Sequence, residues 1–276
     1  MNAWIGNRPP LIRLLGECRI GDDDRPQRLA YRKGWALLAY LAVERTRTHR
    51  RSQIAAMLWP ELEQQAALTN LRQVLRDLNQ ALHAAVGEGV LLVDRETVRL
   101  CPQASQGLLD IDLLESGGAD ADWLLDAGEL LDGIVLDHCD DFGEWLLGVR
   151  SWTWRRLLGA LERRRDDAVA GGDLGLAVRL ARRQVSLDRW DEAGQRGLMR
   201  LYQQMGKPGM ALECYRMLEE HLRRELDVEP QAATRALAAE MGRPERLRAS
   251  VRWDAWIPAA AGVQDTFSGK IAANPF

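Results

Sequence analysis

Between Thr69 and Leu82 the chain reads T-N-L-R-Q-V-L-R-D-L-N-Q-A-L, and its apolar residues recur at helical spacing. At about 100° per residue, Leu71, Val74, Leu75, Leu78, Ala81 and Leu82 share an arc of roughly 120°. Thr69, Arg72, Gln73, Arg76, Asn79, Gln80 and His83 share the opposite arc, and Asp77 falls to one side beside Asn70. The spacing therefore predicts an amphipathic helix with one buried face and one polar face.

The same patterning places its neighbours. L-I-R-L-L-G-E-C-R-I, at 11–20, is short and β-like, and G-D-D-D-R-P after it is turn chemistry. The three aspartates there read as a solvated turn rather than a cation site. Dense apolar residues from Gly34 to Val43 predict a mostly buried helix. T-H-R-R-S-Q-I-A-A-M-L-W-P offers Ser52 as the N-cap of a second helix and Pro60 as its stop. E-L-E-Q-Q-A links it to the third helix. In G-V-L-L-V-D-R-E-T-V-R-L, alternation around D-R-E-T predicts a hairpin of two strands. Strands, three helices and a hairpin, in that order, describe a winged helix-turn-helix, in which the third helix enters the major groove and the hairpin is the wing.

From about residue 151 the pattern is helical throughout. G-D-L-G-L-A at Gly172 and G-K-P-G-M-A at Gly206 lie 34 residues apart, with Gly175 matching Gly209 and Ala177 matching Ala211. That is the period of the tetratricopeptide helix pair. L-D-V-E-P introduces one more short helix, Q-A-A-T-R-A-L-A-A-E-M. The expected fold is thus mostly α with a small β component. The divisions are 1–102 for the winged helix, 103–144 for an acidic, partly packed junction, 145–241 for the tetratricopeptide-like domain, and 242–276 for a tail containing Trp253 and Trp256.

Charge sharpens this division. The 276 residues carry a formal net charge of −3. Residues 1–100 hold 15 basic and 11 acidic side chains, residues 101–150 hold 1 and 12, and residues 151–276 hold 21 and 17. The first segment alone is suited to a polyanion. No apolar run approaches the roughly 18 residues of a membrane helix, and the N-terminus lacks the pattern of a secretion signal. Cys18, Cys101, Cys139 and Cys214 are scattered without a C-x-x-C pair, as expected of reduced thiols in a cytoplasmic protein.

The polar face of the third helix carries the chemistry. A solvated face usually mixes Glu with Lys. This one offers Arg, Gln, Asn and Thr, whose side chains pair with base edges, and no carboxylate to repel phosphates. Thr69, Asn70, Arg72, Gln73, Arg76 and Asn79 are the candidate DNA-reading residues. Arg50 and Arg51, before the second helix, and Arg95, at the hairpin turn, are candidate phosphate contacts. Enzymatic readings are weak. His49, His83, His138 and His221 form no metal-spaced pair, and H-C-D-D at 138–141 would need two distant ligands. There is no G-x-S-x-G elbow and no G-x-x-x-x-G-K-[ST] loop. Trp35, Trp59, Trp145, Trp152 and Trp154 read as core residues. No enzymatic activity, cofactor or metal is expected.

R-L-L-G-E-C-R-I, R-K-G-W-A-L-L-A-Y-L-A-V, I-A-A-M-L-W-P and N-L-R-Q-V-L-R-D-L-N-Q-A-L, in this order, resemble bacterial activators of the Streptomyces antibiotic regulatory protein type. F-G-E-W-L-L-G-V-R and E-L-D-V-E-P-Q-A-A-T-R-A-L extend the resemblance over roughly residues 10–240. It implies an OmpR-like winged helix joined to a bacterial transcriptional activation domain. It also implies binding to promoter repeats, often as a homodimer, and recruitment of RNA polymerase. The helix from Thr69 corresponds to the recognition helix. The link Pro60–Ala66, with Glu61, Glu63 and Gln64, corresponds to the loop facing polymerase. The alternative is an interaction or oligomerising module whose winged helix no longer reads DNA, which the acidic junction and the modest basic charge favour.

Overall fold

The computed structural model describes residues 10–22, 24–116 and 122–242. Asp23, in the aspartate turn, and the tail from residue 243, with Trp253 and Trp256, lie outside the described residues.

The chain opens on a two-stranded antiparallel sheet, β1 (Ile12–Arg13) and β2 (Arg19–Ile20), with Ile12 opposite Ile20. Helix α1 (Arg32–Val43) follows, buried along Ala36–Ala39, Leu41 and Ala42. β3 (His49–Arg50) runs directly into α2 (Arg51–Leu58), and the long α3 (Gln64–Val86) follows. β4 (Leu91–Val93) and β5 (Thr97–Leu100) close the winged helix, β3–β5–β4 forming one antiparallel sheet. Strands, three helices and a wing therefore fold as their patterns predict.

Two local expectations are corrected. Ser52 does not cap α2. Its cap residue is Arg50, because the chain leaves the ladder with β5 at Arg50 and turns at once into helix, its backbone still extended at φ −74° and ψ 132°. α3 begins at Gln64 rather than near Thr69, so the link shrinks to Pro60–Glu63 and Gln64 is the first helical residue.

The acidic stretch is packed. It forms α4 (Pro102–Ser105), α5 (Asp110–Ser116) and α6 (Asp122–Asp126), and it buries Leu109, Ile111, Leu114, Trp123, Leu124, Leu130 and Leu131. A backbone ladder joins it to the N-terminal sheet, Leu131 N–H donating to Leu14 O at 2.8 Å and Gly16 N–H to Glu129 O at 2.8 Å. Gly16 sits at φ +86°, and a Cβ there would meet Asp126 O at 3.0 Å and Gly128 N at 3.1 Å. One hydrophobic core consequently runs from Ile12 through the winged helix and the acidic segment to Leu180.

Helices α7 (Asp140–Ala170), α8 (Leu174–Leu187), α9 (Glu192–Gln204) and α10 (Pro208–His221) form two consecutive antiparallel pairs. The ends of α7 and α9, at the two repeat glycines, close alike. Gly172 and Gly206 take φ +80° and +69°. Asp173 N–H then reaches back to Ala168 O at 2.9 Å, and Lys207 N–H to Tyr202 O at 2.8 Å. Ala177 and Ala211, at matching positions of the two pairs, are fully buried. A π-helical turn, Leu222–Leu226, leads to α11 (Ala232–Met241). Trp152, expected in the core, is exposed on α7.

Glu192, buried in α9, fixes α11. Its carboxylate accepts the Gln231 N–H at 2.8 Å and the Thr234 hydroxyl at 2.6 Å. Glu192→Ala leaves both donors without an acceptor, at a cost of about 1–3 kcal/mol. Amide exchange over residues 231–241 is expected to rise more than elsewhere, and uniform exchange across the domain would contradict this.

Candidate nucleic-acid interface

The polar side of α3 is open. Thr69, Arg72, Gln73, Arg76, Asn79, Gln80 and His83 are all exposed, and Asn70 is half-buried. The opposite side buries Leu71, Val74, Leu75, Leu78, Ala81 and Leu82, the residues the wheel assigns to it. Asp77, the one acid in this stretch, has its carboxylate turned to the approach to α1, where it accepts the Ala30 N–H at 2.9 Å. The outer face is thus free of carboxylates. Thr69 donates its hydroxyl hydrogen to Gln65 O at 2.9 Å and keeps an acceptor outward.

The polar residues divide between two hollows. On the wing side, Arg72, Arg76 and Asn79 border a cleft of about 350 Å³ shared with Arg51, Leu91 and Val93. On the other side, Asn70 and Gln73 border a hollow of about 560 Å³ walled by Ala30–Lys33 and by Val135–His138. The second wall means that the acidic segment reaches the edge of the α3 face. Arg32 and Lys33 there were not singled out from sequence. The signal available was their place in the first turn of α1, next to the approach that Asp77 anchors.

The arginines around the wing differ in setting. Arg50 and Arg95 are exposed, with no side-chain partner among the described residues. Arg51 is a brace. Its backbone N–H donates to Glu96 O at 2.8 Å, and its guanidinium donates to Asp94 O at 3.2 Å and Arg95 O at 3.4 Å. It ties the start of α2 to a wing turn tightened by Thr97, whose hydroxyl donates to Asp94 at 3.1 Å.

The loop Pro60–Glu63 exposes Glu61, Leu62 and Glu63, with Gln64 exposed beside them, and Glu61 borders the same hollow as Asn70 and Gln73. Glu61 lies 3.8 Å from Lys33, whose ammonium sits 4.8 Å from the Trp59 ring centroid. At H-C-D-D, Cys139 is buried and its thiol donates to Leu58 O at 3.3 Å, whereas His138, Asp140 and Asp141 are exposed. Burial pushes the Cys139 thiol up from its ordinary value, and pushes Cys18 up to about 12 with help from Asp110. Both are protonated packing residues at neutral pH.

Residues 118–241 match the bacterial transcriptional activator domain family. The match starts inside the acidic stretch and ends with α11. Among solved structures, Mycobacterium tuberculosis EmbR in complex with a low affinity phosphopeptide is similar, with a TM-score of 0.54 and 18% identity over 86% of this chain and 67% of that one. At that identity the likeness is one of fold. No curated protein matches the sequence. No helix among the described residues is long and apolar enough to cross a membrane.

Proposed function

We propose that this chain is a transcription regulator of the Streptomyces antibiotic regulatory protein type, a reading its bacterial transcriptional activator domain supports, and that α3 reads promoter DNA through its Thr69–His83 face. Arg72, Arg76 and Asn79 contact base edges on the wing side, and Asn70 and Gln73 on the other. Arg50 and Arg95 hold phosphates, which fixes register without reading sequence. Arg51 acts indirectly, by holding the wing turn against α2. The exposed loop Glu61–Glu63, with Gln64, offers RNA polymerase an acidic surface around Leu62 in the bacterial cytoplasm, at the margin of the hollow that Asn70 and Gln73 border.

The observation that carries this reading is the outer face of α3, open and free of carboxylates because Asp77 is turned to Ala30. Selection of bound duplexes from random sequence tests it, with affinity then measured against salt. The expected result is an enriched motif and a log–log salt slope of about −0.9 per phosphate neutralised. Failure to enrich any motif at low salt would instead support a protein-interaction module. The observation favouring that second reading is the Val135–His138 wall, which carries Asp137 beside Gln73.

A further inference from the structure

A helix seated in the major groove has a phosphate strand on each side. The groove is about 12 Å wide and a helix with its side chains about 10–12 Å across, so both strands pass close to it. With α3 in the groove, one strand runs along the wing-side cleft of Arg72, Arg76 and Asn79. The other runs along the hollow of about 560 Å³ that Asn70 and Gln73 border. The walls of that hollow differ in charge. Lys33 and Glu61 lie 3.8 Å apart and offset each other. Arg32 on the α1 wall and Asp137 on the opposite wall are both exposed, and neither has a hydrogen-bond or ion-pair partner among the described residues. They border one hollow without meeting, which leaves room between them for a third charged group.

The wall that carries Asp137 is fastened to the winged helix at both ends. Segment 131–138 begins and ends on non-glycine residues in the left-handed region, Leu131 at φ +55° and His138 at φ +58°. Such residues persist only where their surroundings hold them. Leu131 N–H donates to Leu14 O at 2.8 Å, and the Arg150 guanidinium donates to Leu130 O at 2.9 Å and to Leu131 O at 3.0 Å. At the far end the Cys139 thiol reaches both Asp137 O and Leu58 O at 3.3 Å, which ties the wall to the end of α2. The backbone under Asp137 is therefore fixed relative to α3. A phosphate strand entering the hollow meets repulsion from Asp137 on one side and attraction from Arg32 on the other.

We propose that Asp137, from outside the winged helix, belongs to the DNA interface, an inference that rests on DNA reading by α3. It repels the phosphate strand that passes between α1 and the acidic segment, and Arg32 attracts the same strand, so that the pair sets where the strand lies and Asp137 limits affinity. Fluorescence anisotropy of the full chain on the selected duplex, over a salt series, tests this. At low salt Asp137→Asn should bind about threefold tighter and Asp137→Lys about tenfold tighter, and both gains should shrink as salt rises. Arg32→Ala should bind about threefold to tenfold weaker and lower the salt slope by about one. Each factor should be the same on matched and single-mismatch duplexes, because phosphates carry no sequence. Asp132→Asn controls for net charge. Asp132 is exposed on the same segment but does not border the hollow, and its removal should change affinity by less than about 1.5-fold. All three positions are exposed, so thermal unfolding should be unchanged. An Asp137→Asn variant no tighter than the wild type or than Asp132→Asn overturns the proposal, and so does an unchanged Arg32→Ala. A loss on Arg76→Ala in the same series shows that α3 still reads DNA in that event. Absence of any enriched motif overturns the α3 reading and, with it, the role of Asp137.

Discussion

Arg76→Ala is expected to weaken binding to the selected duplex by about 1–3 kcal/mol, roughly fivefold to more than a hundredfold in Kd. Arg76 is exposed at the wing-side cleft beside Arg72 and Asn79, so its removal opens no cavity and leaves the helix dipoles and the buried face of α3 untouched. The loss should fall on the complex and not on the fold, with thermal unfolding unchanged. Arg76→Lys separates the two contacts an arginine can make. Lysine keeps the charge but loses the planar fork that matches guanine O6 and N7. If Arg76 reads a base, lysine fails nearly as badly as alanine, and preference relaxes at one position of the motif. If it holds a phosphate, lysine recovers most of the affinity, and alanine lowers the salt slope by about one without altering preference. Fluorescence anisotropy on matched and single-mismatch duplexes distinguishes these results. Unchanged binding by Arg76→Ala would remove α3 as the reading element.

The face that supports this expectation was legible in the sequence because helical periodicity is a local property. Leu71, Leu75, Leu78 and Leu82 point inward at any site that offers a core, and Arg72, Arg76 and Asn79 then point out. The repeat was legible for the same reason. A left-handed glycine ends the first helix of each pair, and the buried alanine follows at a fixed distance. What periodicity could not supply was the partner across the chain. Asp77 looked like a charge at the edge of the reading face, and only its bond to Ala30, 47 residues away, turns it into an anchor. Arg51 looked like a phosphate contact beside Arg50, but the wing carbonyls that engage it lie more than 40 residues on. Trp152 was grouped with the core tryptophans because a dense apolar run does not say which of its residues will find a neighbour. The acidic segment conceals most. Its charge suggests a solvated junction, yet its leucines and Trp123 belong to the main core and one of its carboxylates is fully enclosed.

That carboxylate, Asp110, yields the largest stability effect expected in the molecule. One oxygen accepts the N–H groups of Leu14 and Leu15 at 2.7 and 2.8 Å, and the other accepts the N–H of Ile111 at 2.8 Å. It thereby ties the loop between β1 and β2 to the first turn of α5. Asp110→Ala leaves these buried donors without an acceptor. At about 1–3 kcal/mol for each of the two long-range ones, the cost is about 2–6 kcal/mol, a large share of a typical domain's stability. Asp110→Asn keeps the shape and one acceptor oxygen. It should lose less, and it preserves a folded protein for the second measurement. Burial raises the Asp110 carboxyl from 3.8 to about 7, outweighing the three N–H donors and the charge of Arg13. A carboxyl whose folded value is raised contributes stability that is fully present below its unfolded value of 3.8 and is lost as pH rises through about 7. The stability of the wild type relative to Asp110→Asn should therefore decline between about pH 4 and pH 7 and level off above that, the asparagine having no proton to lose. Chemical denaturation of both proteins across that range measures the difference directly. A difference independent of pH would mean that the enclosed carboxylate is held at its ordinary value, with the donors from Leu14, Leu15 and Ile111 matching the cost of its burial.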